Sequence, residues 1–427
     1  MAVAAFYGDD LTGSVDALLQ FRRAGLSGVL VTGPDVEVDV NATDVVGIAG
    51  TARSLSTGEM DAEVVPALRR LRGLGTRVVQ YKACSTADSA SHTGSIGRVL
   101  ELAVGLFPSA PVPIVFAQPD AGRYTFFSHH FARDHDVVFR LDRQPTMSSH
   151  PVTPVHESDL RLHLGAQTEL AIGGAHWPSY GDPLRLRRLL DEADESGVVC
   201  DAISDEELDR LAAAILTGRT EQRFVIGSGG ISGALGRHLQ VSDRLPPLPT
   251  DVEPATGPTL VLNGSRSRLT RGQVDAAAAA GWLVLDLFAE NTTRLVEAAL
   301  RAGAGVLVDS SMTDRSVPSA EVEHWLAAIA DSSLRRQQNT RLVLSGGDTS
   351  GNVLRRLGVE RLGIAARPWA NVVLCHASGP AAHLQKVELV LKGGQMGHTS
   401  LFDDIRHGRS LKEAACSPTP VPALTLE

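Results

Sequence analysis

Leu342-Val343-Leu344-Ser345-Gly346-Gly347-Asp348-Thr349-Ser350-Gly351 passes from an apolar run into glycines and small polar residues, and a helical pattern follows from Asn352 to Leu357. A strand that ends in glycines and opens a helix points unobstructed backbone N–H groups, at the positive end of the helix dipole, towards an anion. A polyphosphate suits such a turn. Gly346 and Gly351 have the spacing of a P-loop, yet Asn352-Val353 stands where that motif needs Lys followed by Ser or Thr. The chain is therefore not an ordinary P-loop enzyme. The plainer alternative, a glycine turn that only caps a helix, is weakened by the Asp, Thr and Ser among the three glycines.

On both sides of this stretch, short runs of Val, Ile and Ala alternate with Ala/Leu/Arg segments of helical period, the pattern of mostly parallel sheets covered by helices. The fold class is α/β. Strands are expected at 3–7, 29–32, 45–48, 78–82, 113–117 and 224–226, then at 259–263, 283–286, 305–308, 341–344 and 389–391. Helices are expected at 14–24, 62–73 and 95–105. Between Ser242 and Pro258 the proline density resists helix and sheet alike. This places a boundary between one α/β domain over 1–245 and a second over 258–415, with a cleft between them and an extended tail over 416–427.

With 427 residues, 43% hydrophobic and 21% charged, each domain can bury a full core. No apolar run approaches the roughly 18 residues of a membrane span, and Met1 to Tyr7 lacks the basic start of a secretory signal, so a cytoplasmic protein whose amino terminus belongs to the fold is expected. The four cysteines, Cys84, Cys200, Cys375 and Cys416, are far apart and fit a reducing compartment. A formal net charge of −9 without a Lys/Arg stripe speaks against nucleic acid as partner. His129, His130 and His135 cluster in sequence, but no Glu or Cys completes a metal-ligand pattern, and they read as solvated loop residues.

Other strand ends carry chemistry. Tyr7-Gly8-Asp9-Asp10-Leu11-Thr12-Gly13 offers two carboxylates for a polyol, a general base or a magnesium ion; the alternative is an Asp N-cap beside an exposed Asp. Lys82, before Cys84-Ser85-Thr86, can hold a carboxylate, and Arg53 adds a cation, though alone it reads as a solvated surface residue. Asn263-Gly264-Ser265-Arg266-Ser267 and Lys392-Gly393-Gly394 can join the glycine turn, the serines bonding phosphate and Lys392 balancing charge. Val225 to Gly233 invites a dinucleotide reading that fails, because Ser232 takes the third glycine position; it reads as a turn at the domain edge.

Together, Asp9-Asp10-Leu11-Thr12-Gly13, Lys82 with Ser85-Thr86, Gly264-Ser265 with Thr270, Gly346 to Gly351 and Lys392-Gly393-Gly394 resemble, in identity and order, the four-carbon acid sugar kinase family. The match runs through nearly the whole chain. It implies that the first domain binds a sugar acid, that the second binds ATP with Mg2+, and that phosphate passes to a hydroxyl, expected to be terminal, across the cleft. By this resemblance Ser265, Gly346, Gly347, Asp348, Thr349, Ser350 and Gly394 contact the nucleotide. Asp9, Asp10, Arg53, Lys82 and Ser85 contact the substrate. In an in-line transfer Asp348 or one of the Asp9-Asp10 pair takes the proton, Asp10 and Asp348 being the catalytic candidates, and a homodimer is the expected assembly.

Many members read Lys-x-Asp-Ser-Thr-x-Arg-Gly in the substrate segment, whereas here Cys84 replaces the Asp and Asp88-Ser89 stands in place of Arg-Gly. Losing that arginine removes a bidentate partner and turns the expectation from tetronates and 3-oxo-tetronates towards the branch acting on 3-oxo-isoapionate. The loop 145–154, with His150, is expected to lie over the substrate. Two other classes compete: a non-catalytic nucleotide- or sugar-binding sensor, and a nicotinamide-dependent dehydrogenase, which lacks a proper dinucleotide fingerprint.

Overall fold

The computed structural model of the chain describes residues 1–108, 111–217, 221–313, 317–337, 339–369, 372–394 and 396–410. The tail expected over 416–427 lies outside them. In the first half the apolar runs become strands β1 (Ala4–Gly8), β2 (Gly28–Val31), β3 (Val45–Ala49), β4 (Val78–Lys82) and β5 (Val112–Val115). A three-stranded antiparallel flap follows, β6 (Arg123–Phe126), β7 (His129–Asp134) and β8 (Val137–Arg140), and then β9 (Ile172–Ala175), β10 (Gly197–Cys200) and β11 (Arg223–Gly227). The helices between them are α1 (Leu11–Arg23), α2 (Met60–Gly73), α3 (Ile96–Leu106), α4 (Leu160–Gly165), α5 (Pro183–Asp191), α6 (Asp205–Leu216) and α7 (Gly229–His238).

The second half holds β12 (Thr259–Asn263), β13 (Leu283–Asp286), β14 (Val306–Asp309), β15 (Arg341–Ser345), β16 (Arg361–Trp369), β17 (Val372–Ser378) and β18 (Val387–Lys392). Its helices are α8 (Arg268–Ala279), α9 (Thr292–Arg301), α10 (Ser319–Arg336), α11 (Gly347–Leu357) and α12 (Leu401–His407). β1, β3, β4, β11, β12 and β15 are buried at every residue, which is why they read as unbroken apolar runs: a parallel strand covered on both faces has no solvent side to alternate with.

The two halves share one sheet. Among the described residues fifteen strands follow the order β13-β14-β12-β15-β18-β17-β16-β2-β3-β1-β4-β11-β5-β10-β9. The join is antiparallel, Leu30 opposite Leu362 and Val31 opposite Arg361. Thr32 reinforces it, its N–H donating to Glu360 O at 3.1 Å and its hydroxyl to Val359 O at 2.8 Å. Arg355 adds a bond from Nη2 to Ala49 O at 3.0 Å. No helix of the described residues is long and apolar enough to cross a membrane.

Candidate active site

Ligands of α/β sheets bind beyond the carboxyl ends of the strands, and here those ends are level within each half. Gly8 stands opposite both Ala49 and Lys82, and Lys82 opposite Gly227. In the second half Asn263 stands opposite Asp309 and Ser345, and Ser345 opposite Lys392. The two edges meet where α1 and α11 begin: a methyl on Gly347 would lie 3.5 Å from Thr12 Oγ1 and 3.7 Å from Asp10 Oδ2. A cleft of about 250 Å3 opens there, lined by Asp10, Arg53, Lys82 and Ser85 from one half and by Leu391 and Met396 from the other.

On the first wall, Asp10 is the N-cap of α1. Its Oδ1 accepts the Gly13 N–H at 2.5 Å, and its Oδ2 accepts Arg53 Nη1 at 2.6 Å. Arg53 also donates to both oxygens of Asp9, at 2.7 and 3.2 Å. Asp9 is therefore not an exposed neighbour of a cap, and Arg53, its side chain 21% exposed, is not a solvated surface residue. Burial raises the Asp9 carboxyl above its usual range against the pull of Arg53. Burial also disfavours the Arg53 charge, but Asp10 and Asp9 more than offset this and raise its pKa.

Lys82 is buried beside them, bonded to Ala83 O at 3.0 Å and 3.6 Å from Asp16 Oδ2. Gly13 leaves room for this arrangement, since a methyl there would stand 2.5 Å from Asp10 Oδ1 and 3.2 Å from Lys82 Nζ and would push those groups aside. The Ser85 carbonyl accepts from His130 Nε2 at 2.8 Å. A ring nitrogen facing a carbonyl must carry the proton, so His130 Nδ1 is an acceptor and takes the Thr125 hydroxyl at 2.9 Å. Burial lowers the His130 pKa to about 4. His130 is thus a neutral buried strut and not a solvated loop residue. Among the described residues no group of three or more His, Cys, Asp or Glu could hold a metal.

The loop 145–154 does not line the cleft; the His150 ring bonds the Thr153 hydroxyl at 2.7 Å, and the same hydroxyl reaches Asp88. Three polar cleft residues, Asp16, Gln118 and Asp120, escape a reading of the sequence, because each lies away from any strand-end motif. For Asp16 one signal existed. A methyl on Gly229 would collide with its carboxylate, so the glycine segment that fails as a dinucleotide motif makes room for a cleft residue.

On the second wall, α11 starts at Gly347 after Gly346, whose φ of +119° favours glycine and whose missing side chain leaves the helix uncapped. Gly264 and Gly394 permit close approach: methyls there would stand 2.5 Å from Thr349 Cγ2 and 2.7 Å from Ser265 Oγ. Ser350 is buried and returns its hydroxyl to Gly346 O at 2.5 Å, stiffening the turn. The Asp348 side chain lies outside the described residues. Ser265 N–H donates to Asn263 Oδ1 at 3.0 Å, while Asn263 Nδ2 donates to Asp309 Oδ1 at 2.8 Å. Sequence reasoning passed over Asp309 because nothing beside it marks more than a strand end.

The site thus faces an anion-receptive helix end with a carboxylate–guanidinium cluster, and the chain as a whole is similar to known proteins. Residues 4–235 match a sugar-binding N-terminal domain and residues 260–402 a nucleotide-binding C-terminal domain. A Paraburkholderia graminis protein named 3-oxo-isoapionate kinase is 35% identical, the match covering 95% of this chain and 94% of that protein. A Pseudomonas fluorescens protein named 3-oxo-tetronate kinase is 31% identical, over 92% and 94%. Among solved structures, a Salmonella typhimurium LT2 protein described as a putative tRNA synthase superposes with a TM-score of 0.78 at 22% identity, covering 94% of this chain and 98% of its own. A Haemophilus influenzae protein gives a TM-score of 0.72 at 22% identity, covering 94% and 99%. At that identity the likeness is one of fold. The chain belongs to the four-carbon acid sugar kinase family.

Proposed function

We propose that this chain is an ATP-dependent kinase that phosphorylates a hydroxyl of a short sugar acid, with residues 1–245 holding the acid and 258–415 the nucleotide. The observation that carries the reading is the uncapped start of α11 facing Asp10 across the cleft, a methyl on Gly347 falling 3.5 Å from Thr12 Oγ1 and 3.7 Å from Asp10 Oδ2. The amides of Gly347, Asp348 and Thr349, with Ser265 and Gly394, receive the polyphosphate, while the Ser350 N–H closes the turn on Gly346 O at 3.0 Å; Lys82 with Ser85 receives the acid's carboxylate. The acid's hydroxyl oxygen attacks the γ-phosphorus, the bond to the β-phosphate oxygen breaks, ADP leaves, and the hydroxyl proton passes to Asp10. Asp10 is oriented for this, because Gly13 and Arg53 fix one oxygen each and every oxygen keeps a second lone pair.

Phosphoryl transfer needs mainly positioning and charge neutralisation. Carboxylate oxygens are the donors that magnesium takes, and Asp10 and Asp16, both lining the cleft, are the residues that would hold it. When bound, the ion supplies neutralisation of phosphate charge. The relatives' names, with Cys84 in place of the Asp of other members, favour 3-oxo-isoapionate over tetronates. Three free described cysteines, Cys84, Cys200 and Cys375, support a cytoplasmic setting. A homodimer belongs to the same proposal, and light scattering on the purified chain tests it.

The decisive experiment is an ATP-consumption screen over sugar acids of four to six carbons, with the product's phosphate located by NMR. Asp10→Asn keeps an N-cap and should lower turnover by about 10²- to 10⁴-fold while leaving nucleotide affinity within about twofold. Unchanged turnover would remove Asp10 from the mechanism. Nucleotide binding without consumption in the presence of any acid would replace the kinase with a sensor.

A further inference from the structure

Lys392 ends β18, is 1% exposed, and lies directly under the glycine turn, its carbonyl accepting the Gly346 N–H at 2.9 Å. Its ammonium donates to three neutral acceptors: Thr270 Oγ1 at 2.8 Å, Gly393 O at 3.0 Å and Ser345 Oγ at 3.4 Å. The Phe402 ring of α12 stands 6.0 Å away. The groups facing it are thus Ser345 from β15, Thr270 from α8 and Phe402 from α12, and none of them titrates near neutral pH. Among the described residues no carboxylate pairs with this ammonium. A buried charge without a counter-ion is costly unless the protein expects one to arrive.

An ammonium can only donate, so Thr270 Oγ1 accepts from Lys392 at 2.8 Å, and its single proton goes either to Gly394 O at 3.0 Å or to Ser265 Oγ at 3.3 Å. Ser267 Oγ stands 3.0 Å from the same Thr270 oxygen, and the Ser267 N–H donates to Ser265 Oγ at 3.3 Å. The Thr270 hydroxyl thus links the buried ammonium to the serines of 265–267.

We infer that Lys392 is the built-in counter-charge of the nucleotide's phosphates, linked through the Thr270 hydroxyl to Ser265, whose hydroxyl bonds a phosphate oxygen. The inference rests on the nucleotide reading above. Lys392 acts here as a positioning residue through the hydroxyls in front of it. Burial lowers its pKa to about 8. A bound anion pushes that value back up, so nucleotide binding near pH 8 draws in a proton.

Isothermal titration with ADP and with a nonhydrolysable ATP analogue, in buffers of different ionisation heat, reads this directly. The wild type should take up about half a proton at pH 8 more than Lys392→Arg, whose guanidinium does not titrate; subtracting that variant removes protons belonging to the nucleotide itself. Lys392→Met should bind about 10- to 100-fold more weakly, with no uptake of its own. Ser265→Ala, a milder change, should lose affinity yet keep the uptake. Equal uptake in wild type and Lys392→Arg, or full affinity in Lys392→Met, overturns the inference while leaving the nucleotide reading intact. A wild type that binds neither nucleotide at any pH overturns both.

Discussion

His130 shows how a single side chain ties the acid-binding wall to solution pH. It is fully buried and neutral, holding the Ser85 carbonyl through Nε2 and the Thr125 hydroxyl through Nδ1, and its pKa of about 4 lies below the 6.5 of an exposed histidine. A group whose folded pKa is depressed stabilises the fold fully above the unfolded value, and that contribution is lost as pH falls through the folded one. Between about pH 6.5 and 4 the chain should therefore lose on the order of 3 kcal/mol through this residue, a slope absent in His130→Gln and measurable by denaturant titration at several pH values. The histidine run at 129–135 carries no mark of this role, because burial comes from the flap's packing and not from the neighbours in sequence. Asp9, Asp10, Arg53 and Lys82 were legible as strand-end residues of complementary charge. Their mutual locking was not, since Arg53 lies 43 residues from Asp10.

The start of α11 depends on small residues in other segments. A methyl on Gly264 would stand 2.5 Å from Thr349 Cγ2, closer than real contacts allow, so either β12 or the first turn of α11 must give way. Gly264→Ala should weaken nucleotide binding by about tenfold or more, the equivalent of 1–3 kcal/mol of overpacking, and leave acid affinity unchanged in a binding titration. Equal loss for both ligands would point to general damage. Elements of this kind, a parallel strand running into a glycine turn and a helix, were legible because burial on both faces writes itself as an apolar run. β16 and β17 were not. Their pairing shifts register at Ile364/Ala366 and again at Ala366/Trp369, and Arg367 and Pro368 interrupt the alternation that marks a strand. The flap strands were missed for a related reason: β8 has three exposed residues of four, and nothing in it repeats with period two.

Two domains with a cleft were anticipated from the proline-rich stretch, but two separate bodies joined by a linker would be the wrong picture. The join runs through Leu30–Leu362 and Val31–Arg361, Thr32 adds two bonds to 359–360, and Arg355 crosses to Ala49. Residues 242–258 form no helix or strand and are mostly exposed. A protease nick confined to Pro246-Pro247 should thus leave two fragments that elute together in size-exclusion chromatography and still consume ATP; fragments that separate would show that the stretch, and not the sheet, holds the halves. Because both walls of the cleft grow from the same hydrogen-bonded ribbon, the jaws cannot swing freely on a string. The gap between them is held by the ribbon's own hydrogen bonds, and it can change only as far as that ribbon bends.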